Sequence, residues 1–593
     1  AWMSALKNSE FPVLPVRVQQ CVVGDWLNLH PYIDFHKLGE EEGRSQLLEW
    51  IEKRFNKKPR PVTILFDDSD TDIGGANTVS IQHLIRKRNP RFIGREKELT
   101  GLAKTLEERR QVVLFQETRG LGGVGRTELA SEYAYRYSHL YDLVWWIRAE
   151  DPWTLSADFE RLAWELDLKD KTARNQELVT KAVRTWLSQH SRWLLIFDTA
   201  RTPDDLLPYV RNRYPGHVLI TSRSDKWPDH LAKIGVGPLP RPEATNLILR
   251  CTKEVFQGSA STVAAALNDM PLAINLAGSY VNAARSSLDN LYDLFQQRCS
   301  DFWPDRGIHA NEMIVVGTLI SLAADYLQTH TPGALDILKV CAYLAPNDIS
   351  LAYLCSDIKN LPSKALARTL SSTARLNQAM AALERFQLIH NLKDRFRVHP
   401  MVQTTLRGWI ETDLGAVSNA PLHTFLKTLR PERKEQKNPA IWAEAALALA
   451  TDLFPEEIRE PESWATVSDV MPHRYAIMQH SLRMRLNPLK AGTLTKQMAD
   501  YMKLRLNLSA ARQALERTQA FQELLKPPNP KLLAETLRDL GAVHRAQSQF
   551  DEAREAFEGA LEISRKLYGN NHAEVAGDIA NLGHLLEDLG DWH

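Results

Sequence analysis

Residues 120–127 read GLGGVGRT, and this stretch decides the fold of the segment around it. It fits the pattern G-x4-G-[K/R]-[S/T], in which glycines allow backbone N–H groups to close around phosphate oxygens. A helix that starts directly after such a loop presents the positive end of its dipole to the phosphates. The apolar run Val112–Phe115 precedes the loop, and an amphipathic run begins at Thr127. We therefore expect a strand, a phosphate-binding loop and a helix, although a glycine-rich turn of no function is the alternative.

The loop departs from its usual pattern in two ways. Arg126 stands where lysine is usual, and Gln116–Arg119 read as an extra turn before the glycines. Arginine keeps the positive charge, but its guanidinium is a broad planar fork whereas a lysine ammonium is a compact point charge. We therefore expect phosphate binding to survive and hydrolysis of a bound nucleotide to be weak or absent.

A phosphate loop of this kind also needs an acidic residue at the end of a buried strand to help hold Mg²⁺. Asp198 follows the apolar run Trp193–Phe197 and supplies that carboxylate, while the Thr127 hydroxyl is the second predicted Mg²⁺ ligand. The residue after Asp198 is Thr199, where hydrolases of this kind often carry a second acid that polarises the attacking water.

Composition excludes several classes of partner. With 593 residues the chain holds roughly three to five domains. Lys plus Arg and Asp plus Glu number 73 each, so no basic surface for nucleic acid or anionic lipid is indicated. The 5 cysteines are scattered without CxxC spacing, which indicates a reducing compartment, and no apolar run is long enough to span a bilayer. We expect a cytoplasmic protein that binds neither nucleic acid nor membrane.

The order of apolar runs predicts the fold class. Strands are predicted at Val112–Phe115, Leu143–Ile147, Leu194–Phe197 and Val218–Thr221, with helices between them. This alternation is typical of a doubly wound α/β domain. Everything after about residue 240 reads as helical, apart from a small hairpin near Leu388–Val398. The chain is therefore predicted to be multidomain, α/β followed by all-α.

The C-terminal helices carry a repeat with a period of 42 residues. Leu540-Gly541 recurs as Leu582-Gly583, Phe550 recurs as Trp592, and a weaker copy lies one period upstream. These offsets resemble the long form of the tetratricopeptide repeat, with a plain helical bundle as the alternative. Because such arrays end in a polar capping repeat, we expect the array to continue beyond His593.

Four further segments follow in a fixed order around the loop. They are Phe92–Leu99 (FIGREKEL), Ile220–Arg223 (ITSR), Asp269–Ala273 (DMPLA) and Phe396–Pro400 (FRVHP). Each has a plain structural explanation; His399, for example, could simply cap the helix that starts at Pro400. Together, in this order, they resemble the NB-ARC module of the STAND class of NTPases over residues 91 to about 410.

The resemblance implies a set of site residues for ADP or ATP with Mg²⁺. They are Ile93, Arg95, Gly120, Gly122, Gly123, Val124, Gly125, Arg126, Thr127, Asp198, Arg223, Pro271 and His399. In that family the Ile93 position contacts adenine through its backbone and Pro271 packs on the base. Arg223 would sense the γ-phosphate. His399 would contact the β-phosphate of ADP and hold the protein closed.

Residues 1–57 are similar to the distal half of a bacterial TIR domain, with a short α/β fragment as the alternative. Strands are predicted at Phe11–Val18 and Tyr32–Phe35. TIR domains of this type cleave NAD⁺ with a glutamate that stands immediately before a tryptophan. Here Ala1 precedes Trp2 and aligns with that glutamate, so we expect this chain to be inactive on NAD⁺ even though NAD⁺ would be the substrate of a complete domain.

The predicted boundaries follow from these segments. They are 1–57 TIR-like, 58–90 linker, 91–235 nucleotide-binding domain, 236–305 helical domain, 306–412 winged-helix domain, 413–490 helical connector and 491–593 tetratricopeptide-like repeats. This combination resembles prokaryotic immune receptors used in antiphage defence. Their repeats bind an unidentified trigger, they exchange ADP for ATP and form homo-oligomers, and a TIR effector then cleaves NAD⁺. The alternatives are a STAND-type transcriptional regulator and a nucleotide-binding scaffold without hydrolysis.

Overall fold

In the computed structural model, residues 1–77 and 78–593 form two separate compact units. In the first unit the structure describes only strands β1 (Val16–Arg17) and β2 (Ile33–Asp34), which pair in parallel. Both lie inside predicted strands, whereas Ala1 lies outside the described residues. In the second unit the structure describes residues 81–84, 88–117, 122–210, 214–252, 257–302, 312–354, 361–392, 394–411, 440–455, 457–459 and 461–589.

A six-stranded parallel sheet organises the first part of this second unit. Its strands are β3 (Ile81–His83), β4 (Gln111–Gln116), β5 (Leu143–Arg148), β6 (Trp193–Ala200), β7 (His217–Ser222) and β8 (Ala232–Val236). The order across the sheet is β3-β5-β6-β7-β4-β8, and every neighbouring pair is parallel. The four predicted strands are therefore confirmed, each with slightly wider bounds.

Helices cover both faces of this sheet, because its central strands are apolar on both sides. Trp145 and Trp146 are adjacent in β5, and they enter two different cores on opposite faces. The covering helices are α1 (Glu96–Arg109), α2 (Arg126–Arg136), α3 (Pro152–Glu165), α4 (Gln176–Gln189) and the single turn α5 (Pro203–Leu206). This is the predicted doubly wound arrangement.

Both edge strands differ from the sequence-based prediction. Strand β3 lies inside the segment 58–90 that we predicted as a linker, and Ile81 pairs with Leu143. Strand β8 contains Lys233 and Gly235 and is only partly buried, so its apolar pattern is weak. Gln116 is the last residue of β4, not the first residue of an extra turn. In all three cases the neighbouring strand supplies hydrogen bonds that local sequence does not reveal.

A helical region follows the sheet. Its first part is α6 (Arg241–Thr252), α7 (Gln257–Ala266), α8 (Pro271–Ala284) and α9 (Leu288–Phe302). Its second part is α10 (Glu312–His330), α11 (Pro332–Cys341), α12 (Leu351–Leu354), α13 (Lys364–Leu370), α14 (Thr373–Arg385) and α15 (Pro400–Glu411). The predicted hairpin is confirmed as β10 (Ile389–Leu392) and β11 (Arg395–Val398), and β9 (Ile349–Ser350) joins it as a third antiparallel strand.

The remaining described helices form antiparallel neighbours along the chain. They are α16 (Ala440–Asp452), α17 (Pro461–Met484), α18 (Pro488–Leu504), α19 (Leu508–Glu523), α20 (Pro530–Ala546), α21 (Phe550–Tyr568) and α22 (Ala573–Leu589). On α21, the side chains of Ala553, Phe557 and Ala560 are buried. Within the described part of the chain, no helix is both long and apolar enough to cross a membrane.

Gly541 provides a direct test of close packing in the repeat. A Cβ atom at Gly541 would lie 2.5 Å from Cε1 of Phe557, so α20 and α21 touch through a glycine. We expect Gly541→Val to destabilise this helix pair by about 1–3 kcal/mol, because overpacking forces the ring or the backbone to move. Hydrogen exchange of residues 530–568, measured by mass spectrometry, should become faster.

Gly583 supplies the matched control, since it occupies the same repeat position 42 residues later. A Cβ atom there meets nothing within 4 Å, so Gly583→Val should leave the exchange of α20 and α21 unchanged. Equal effects of the two substitutions would show that the contact with Phe557 is not what limits the size of residue 541.

Candidate functional site

The described part of the glycine loop has the backbone conformation that glycine allows. Gly122, Gly123 and Gly125 have φ values of 115°, 90° and 93°, which other residues rarely adopt. Val124 lies between them and is buried in the core beneath α2. Helix α2 begins at Arg126, one residue earlier than predicted, and its first N–H groups therefore face the loop. Gly120 lies outside the described residues.

The DMPLA segment packs directly on the glycine loop. The backbone N–H of Leu272 donates to the carbonyl of Gly123 at 3.3 Å. A Cβ atom at Gly123 would lie 3.1 Å from Cβ of Leu272, and one at Gly125 would lie 3.9 Å from Cγ of Pro271. The structure thus brings Pro271 to the loop from 146 residues further along the chain than Gly125. Helix α8 starts there, with Pro271 in its first turn.

Arg95 contacts the backbone of the glycine loop. Its side chain is buried, and its Nη2 donates to the carbonyl of Val124 at 3.2 Å and to the carbonyl of Gly237 beyond β8. Its Nη1 forms an ion pair with Glu98 at 2.8 Å. Arg95 therefore positions the loop backbone, and its donors already contact protein acceptors. The neighbouring Ile93 is partly buried against the core of the helical region.

Thr127 and Asp198 meet at the carboxyl edge of the sheet. The Thr127 hydroxyl donates to Oδ1 of Asp198 at 2.8 Å, and Thr221 donates to the same oxygen at 2.6 Å. Asp198 is buried. A hydroxyl and a carboxylate side by side at a phosphate-binding loop are hard oxygen donors, which fit Mg²⁺ in combination with phosphate oxygens and water. Thr221 belongs to the ITSR segment, and its role in fixing the Asp198 carboxylate was not predicted.

The Arg126 side chain makes a hydrogen bond to the backbone of the sheet. Its Nη1 donates to the carbonyl of Ser222 at the end of β7, at 2.7 Å. The Arg126 side chain thus connects the start of α2 to the end of β7, next to Arg223. Arg223 itself is exposed at that strand end.

Thr199 sits in a strained position behind Asp198. Its φ is 63°, and a β-bulge interrupts the pairing of β6 with β7 between Phe197 and Ala200. The Thr199 N–H donates to the Thr221 hydroxyl at 2.8 Å. The bulge therefore changes the chain direction at residue 199. Related sites often carry a second acid at this position, whereas Thr199 has no carboxylate.

His399 begins helix α15, and the structure shows it acting as a helix cap. Its Nδ1 accepts a hydrogen bond from the N–H of Met401 at 3.1 Å, and its carbonyl accepts from the N–H of Gln403. Helix capping is the structural alternative given for His399 in the sequence analysis. A contact of His399 with a nucleotide phosphate stays a prediction.

Glu150 is a carboxyl group that sequence reasoning missed at this edge. It lies just beyond β5, at the end of the ladder with β6. There the backbone of Arg148 is in register with that of Asp198, and the Ala149 N–H donates to the Asp198 carbonyl at 2.8 Å. Burial and the nearby Asp151 raise the pKa of Glu150 to about 8. The signal was present in the sequence: an apolar strand followed by Glu150-Asp151 resembles the pattern that identified Asp198.

Comparison with known proteins agrees with this geometry. Residues 95–235 match the model of the NB-ARC domain family, and residues 532–593 match a tetratricopeptide repeat family. The chain carries an NB-ARC domain. Tetratricopeptide repeats follow it, so the repeat predicted from the period of 42 residues is confirmed. Neither match covers residues 1–57, so the TIR-like interpretation of that segment stays a prediction.

One curated relative is a nucleotide-binding leucine-rich repeat (NLR)-like protein of Hyaloscypha variabilis, 25% identical over 363 residues. The match covers 55% of this chain but only 36% of that protein. Among solved structures, a STAND protein with a tetratricopeptide repeat sensor from Pyrococcus horikoshii matches with a TM-score of 0.35 and 17% identity, over 85% of this chain and 78% of that one. A Walker-type ATPase of Pyrococcus abyssi matches with a TM-score of 0.26 and 15% identity, over 56% and 99%.

Proposed function

We propose that this protein is a nucleotide-switched signalling receptor of the STAND class, in which the NB-ARC domain exchanges ADP for ATP. One observation carries the proposal: the glycine loop, the Thr127–Asp198 pair and the Pro271 turn are assembled within contact of one another. The loop is suited to phosphates, the pair to Mg²⁺, and the apolar turn to the flat face of a base. These three features together support a site for the phosphates, the metal ion and the base of a nucleotide.

Contacts between the NB-ARC domain and later segments support a two-state switch. Arg148 forms an ion pair with Asp348 at 2.5 Å, next to β9. Arg161 of α3 forms another with Asp469 of α17, also at 2.5 Å. Because these contacts join the nucleotide domain to segments about 200 to 300 residues away, a nucleotide that favours one arrangement shifts the whole assembly.

The arrangement of the domains indicates how the protein would receive and transmit a signal. Stacked helix pairs build an extended concave surface, which suits the repeats as the sensor of a protein or other trigger. Activation would then proceed by homo-oligomerisation in the cytoplasm, in innate immune defence, with a TIR effector that cleaves NAD⁺. The transcriptional-regulator alternative is less favoured, because a formal net charge of +0 gives no general attraction to nucleic acid.

The bound nucleotide is the first test. We expect the protein to purify with ADP. The glycine loop would enclose the phosphates, and His399 of the winged-helix segment would stabilise the closed, ADP-bound form. The purified protein is denatured, and the released small molecules are separated by ion-exchange chromatography. About one adenine nucleotide per chain is the expected result.

The control for this measurement is Asp198→Ala combined with Thr127→Ala, which removes both predicted Mg²⁺ ligands. This variant should retain less nucleotide and lose the Mg²⁺ dependence of binding. If the unaltered protein releases no adenine nucleotide and binds none on titration, the nucleotide switch is wrong.

A further inference from the structure

A cavity of about 400 Å³ lies beside the edge strand β3. The described residues that line it are His83, Arg161, Asp348, Leu392 and Arg395. They come from β3, from α3, from the turn before β9 and from the hairpin strands β10 and β11. The volume lies within the range of small-molecule sites, which is about 300–1,000 Å³. The cavity therefore has room for a small ligand between the nucleotide-binding domain and the winged-helix segment.

This cavity is separate from the predicted nucleotide site. In the sheet order β3-β5-β6-β7-β4-β8, strand β3 is four steps from β4, the strand that leads into the glycine loop. At about 4.8 Å for each step, the two strands lie roughly 19 Å apart. A small ligand in the cavity therefore binds apart from the loop.

Two arginines in the wall of the cavity hold one carboxylate between them. Nη2 of Arg161 donates to Oδ1 of Asp469 at 2.5 Å, and Nη2 of Arg395 donates to Oδ2 of Asp469 at 2.8 Å. The arginines belong to α3 and β11, whereas Asp469 belongs to α17, so the carboxylate comes from a third element. Arginine binds carboxylate and phosphate oxygens in the same way. The spacing of the two guanidinium groups therefore suits an oxyanion.

The Asp469 carboxylate is open to displacement, because its ion pairs are in contact with solvent. The side chains of Arg161 and Arg395 are 36% and 34% exposed, and that of Asp469 is 18% exposed. Ion pairs that solvent reaches contribute little net stability, so an anion in the cavity competes with Asp469 on nearly equal terms. By contrast, Arg148 and Asp158 are 4% and 1% exposed, and their ion pair belongs to the fixed part of the structure around the cavity.

The other walls suit a ligand that carries hydroxyl groups as well as an anion. Oδ2 of Asp348 accepts from Arg148, and among the described residues Oδ1 has no hydrogen-bond partner, so Oδ1 can accept from a hydroxyl group. The His83 ring stacks on Trp145, with 4.1 Å between the ring centroids. Burial lowers the pKa of His83, so the ring is neutral near pH 7. Together with Leu392, this ring gives the cavity an uncharged side opposite the polar groups.

We propose that this cavity binds a small phosphate monoester, and that the ligand displaces Asp469 from Arg161 and Arg395. The phosphate oxygens take the place of the carboxylate oxygens, and the hydroxyl-bearing part of the ligand donates to Asp348. Because Asp469 links α17 to both α3 and the β10–β11 hairpin, its displacement loosens α17 from these elements. Binding itself is independent of the proposed nucleotide switch, and only an effect of the ligand on nucleotide exchange rests on that switch.

Isothermal titration calorimetry of the full chain with ribose 5-phosphate tests the site. We expect Arg161→Gln combined with Arg395→Gln to lower the affinity about tenfold or more, since both charged donors are lost. Arg385→Gln, at the exposed end of α14, is the matched control and should leave the affinity unchanged. Inorganic phosphate should bind more weakly than ribose 5-phosphate, because it has no sugar hydroxyl for Asp348. Unchanged affinity in the double variant, or phosphate binding as tight as that of ribose 5-phosphate, overturns the assignment.

Two further titrations separate this cavity from the glycine loop and distinguish the source of the phosphate. AMP binding that is tighter than that of ribose 5-phosphate and is lost in the double arginine variant identifies the ligand as a nucleotide. Weaker AMP binding identifies it as a sugar phosphate. Arg126→Ala, which changes the loop, should not alter the binding of ribose 5-phosphate. A loss in Arg126→Ala as large as that in the double arginine variant overturns the site in the cavity.

Asp469→Asn tests the displacement. The amide keeps the size of the side chain but loses the charge that competes for the two arginines, so the affinity for ribose 5-phosphate should rise about tenfold. A misfolded variant cannot produce this gain. In the unaltered protein, ribose 5-phosphate should speed the hydrogen exchange of α17. Unchanged or lower affinity in Asp469→Asn, or unchanged exchange of α17, overturns the displacement.

The outcome also separates this inference from the nucleotide switch. If ribose 5-phosphate binds as expected but no adenine nucleotide binds at the glycine loop, the cavity site stands and the switch is wrong. If ADP binds at the loop but none of the three phosphate probes binds to the unaltered protein or to Asp469→Asn, the switch stands and this inference is wrong.

Discussion

Replacing Arg505 with alanine should break the contact between the NB-ARC domain and the repeats, and we expect bound ADP to be released at least tenfold faster as a result. Arg505 lies between α18 and α19 and is fully buried. Its Nη2 is 2.8 Å from Oε1 of Glu160 on α3, and its guanidinium lies 3.9 Å from the ring centre of Trp464. Removing the arginine leaves a buried carboxylate without its cation.

The size of the effect follows from that burial. Breaking a buried ion pair by removing one partner costs about 3–5 kcal/mol, whereas an exposed pair contributes about 0–1 kcal/mol. Gln176 reinforces the contact, because its Nε2 donates to Glu160 at 2.6 Å and its Oε1 accepts from Asn507 at 2.7 Å. The variant therefore loses the centre of a hydrogen-bonded cluster, and the closed arrangement should weaken by at least the 1.4 kcal/mol that corresponds to tenfold.

Two controls identify the cause. Arg512→Ala removes an arginine of α19 whose partner, Glu516, is about half exposed, and it should leave ADP release unchanged. The double variant Glu160→Leu with Arg505→Met replaces both charges by apolar groups and should restore slow release, because no unpaired charge stays buried. ADP release is followed by the fluorescence of a labelled nucleotide. Slow release from Arg505→Ala alone would show that this contact does not hold the closed form.

The central fold was predictable because its signals are local. Val112–Phe115 and Leu194–Phe197 are apolar runs long enough to specify buried strands, and the glycine loop between them specifies a turn that other residues cannot adopt. The edge strand β3 was not predictable, since three residues carry no period and only pairing with β5 defines it. Local sequence predicts a strand whose own residues specify it. It does not predict a strand that forms only because a neighbouring strand pairs with it.

The site shows the same division. Thr127, Asp198 and Pro271 were predicted and do assemble, because each belongs to a motif at a fixed place in the fold. The roles of Thr221 and Arg95 depend on distances between elements that are far apart in sequence, and only the structure shows them. Arg95 donates to the carbonyls of Val124 and Gly237, and its predicted contact with the cofactor stays a prediction.

Changing Arg126 to lysine should raise ATP hydrolysis about ten- to a hundredfold while leaving nucleotide affinity within about tenfold, or roughly 1.4 kcal/mol. In the structure the guanidinium donates to the carbonyl of Ser222, so part of its hydrogen-bonding capacity faces the protein. Ground-state binding needs only a positive charge near the phosphates, and both residues supply it. Hydrolysis is more demanding, because stabilisation must fall where charge develops in the transition state.

The geometry of the side chain explains why the hydrolysis rate should change much more than the nucleotide affinity. A displacement of about 1 Å at a reacting centre can cost about a hundredfold in rate, and the planar fork cannot take the place of a compact ammonium between two phosphates. The comparison is made by single-turnover hydrolysis and by titration with ADP and ATP, with Arg126→Ala as the control that should lose affinity. If the unaltered protein already hydrolyses ATP at several turnovers per second, the arginine is no handicap. In that case the protein resets by hydrolysis instead of by nucleotide exchange.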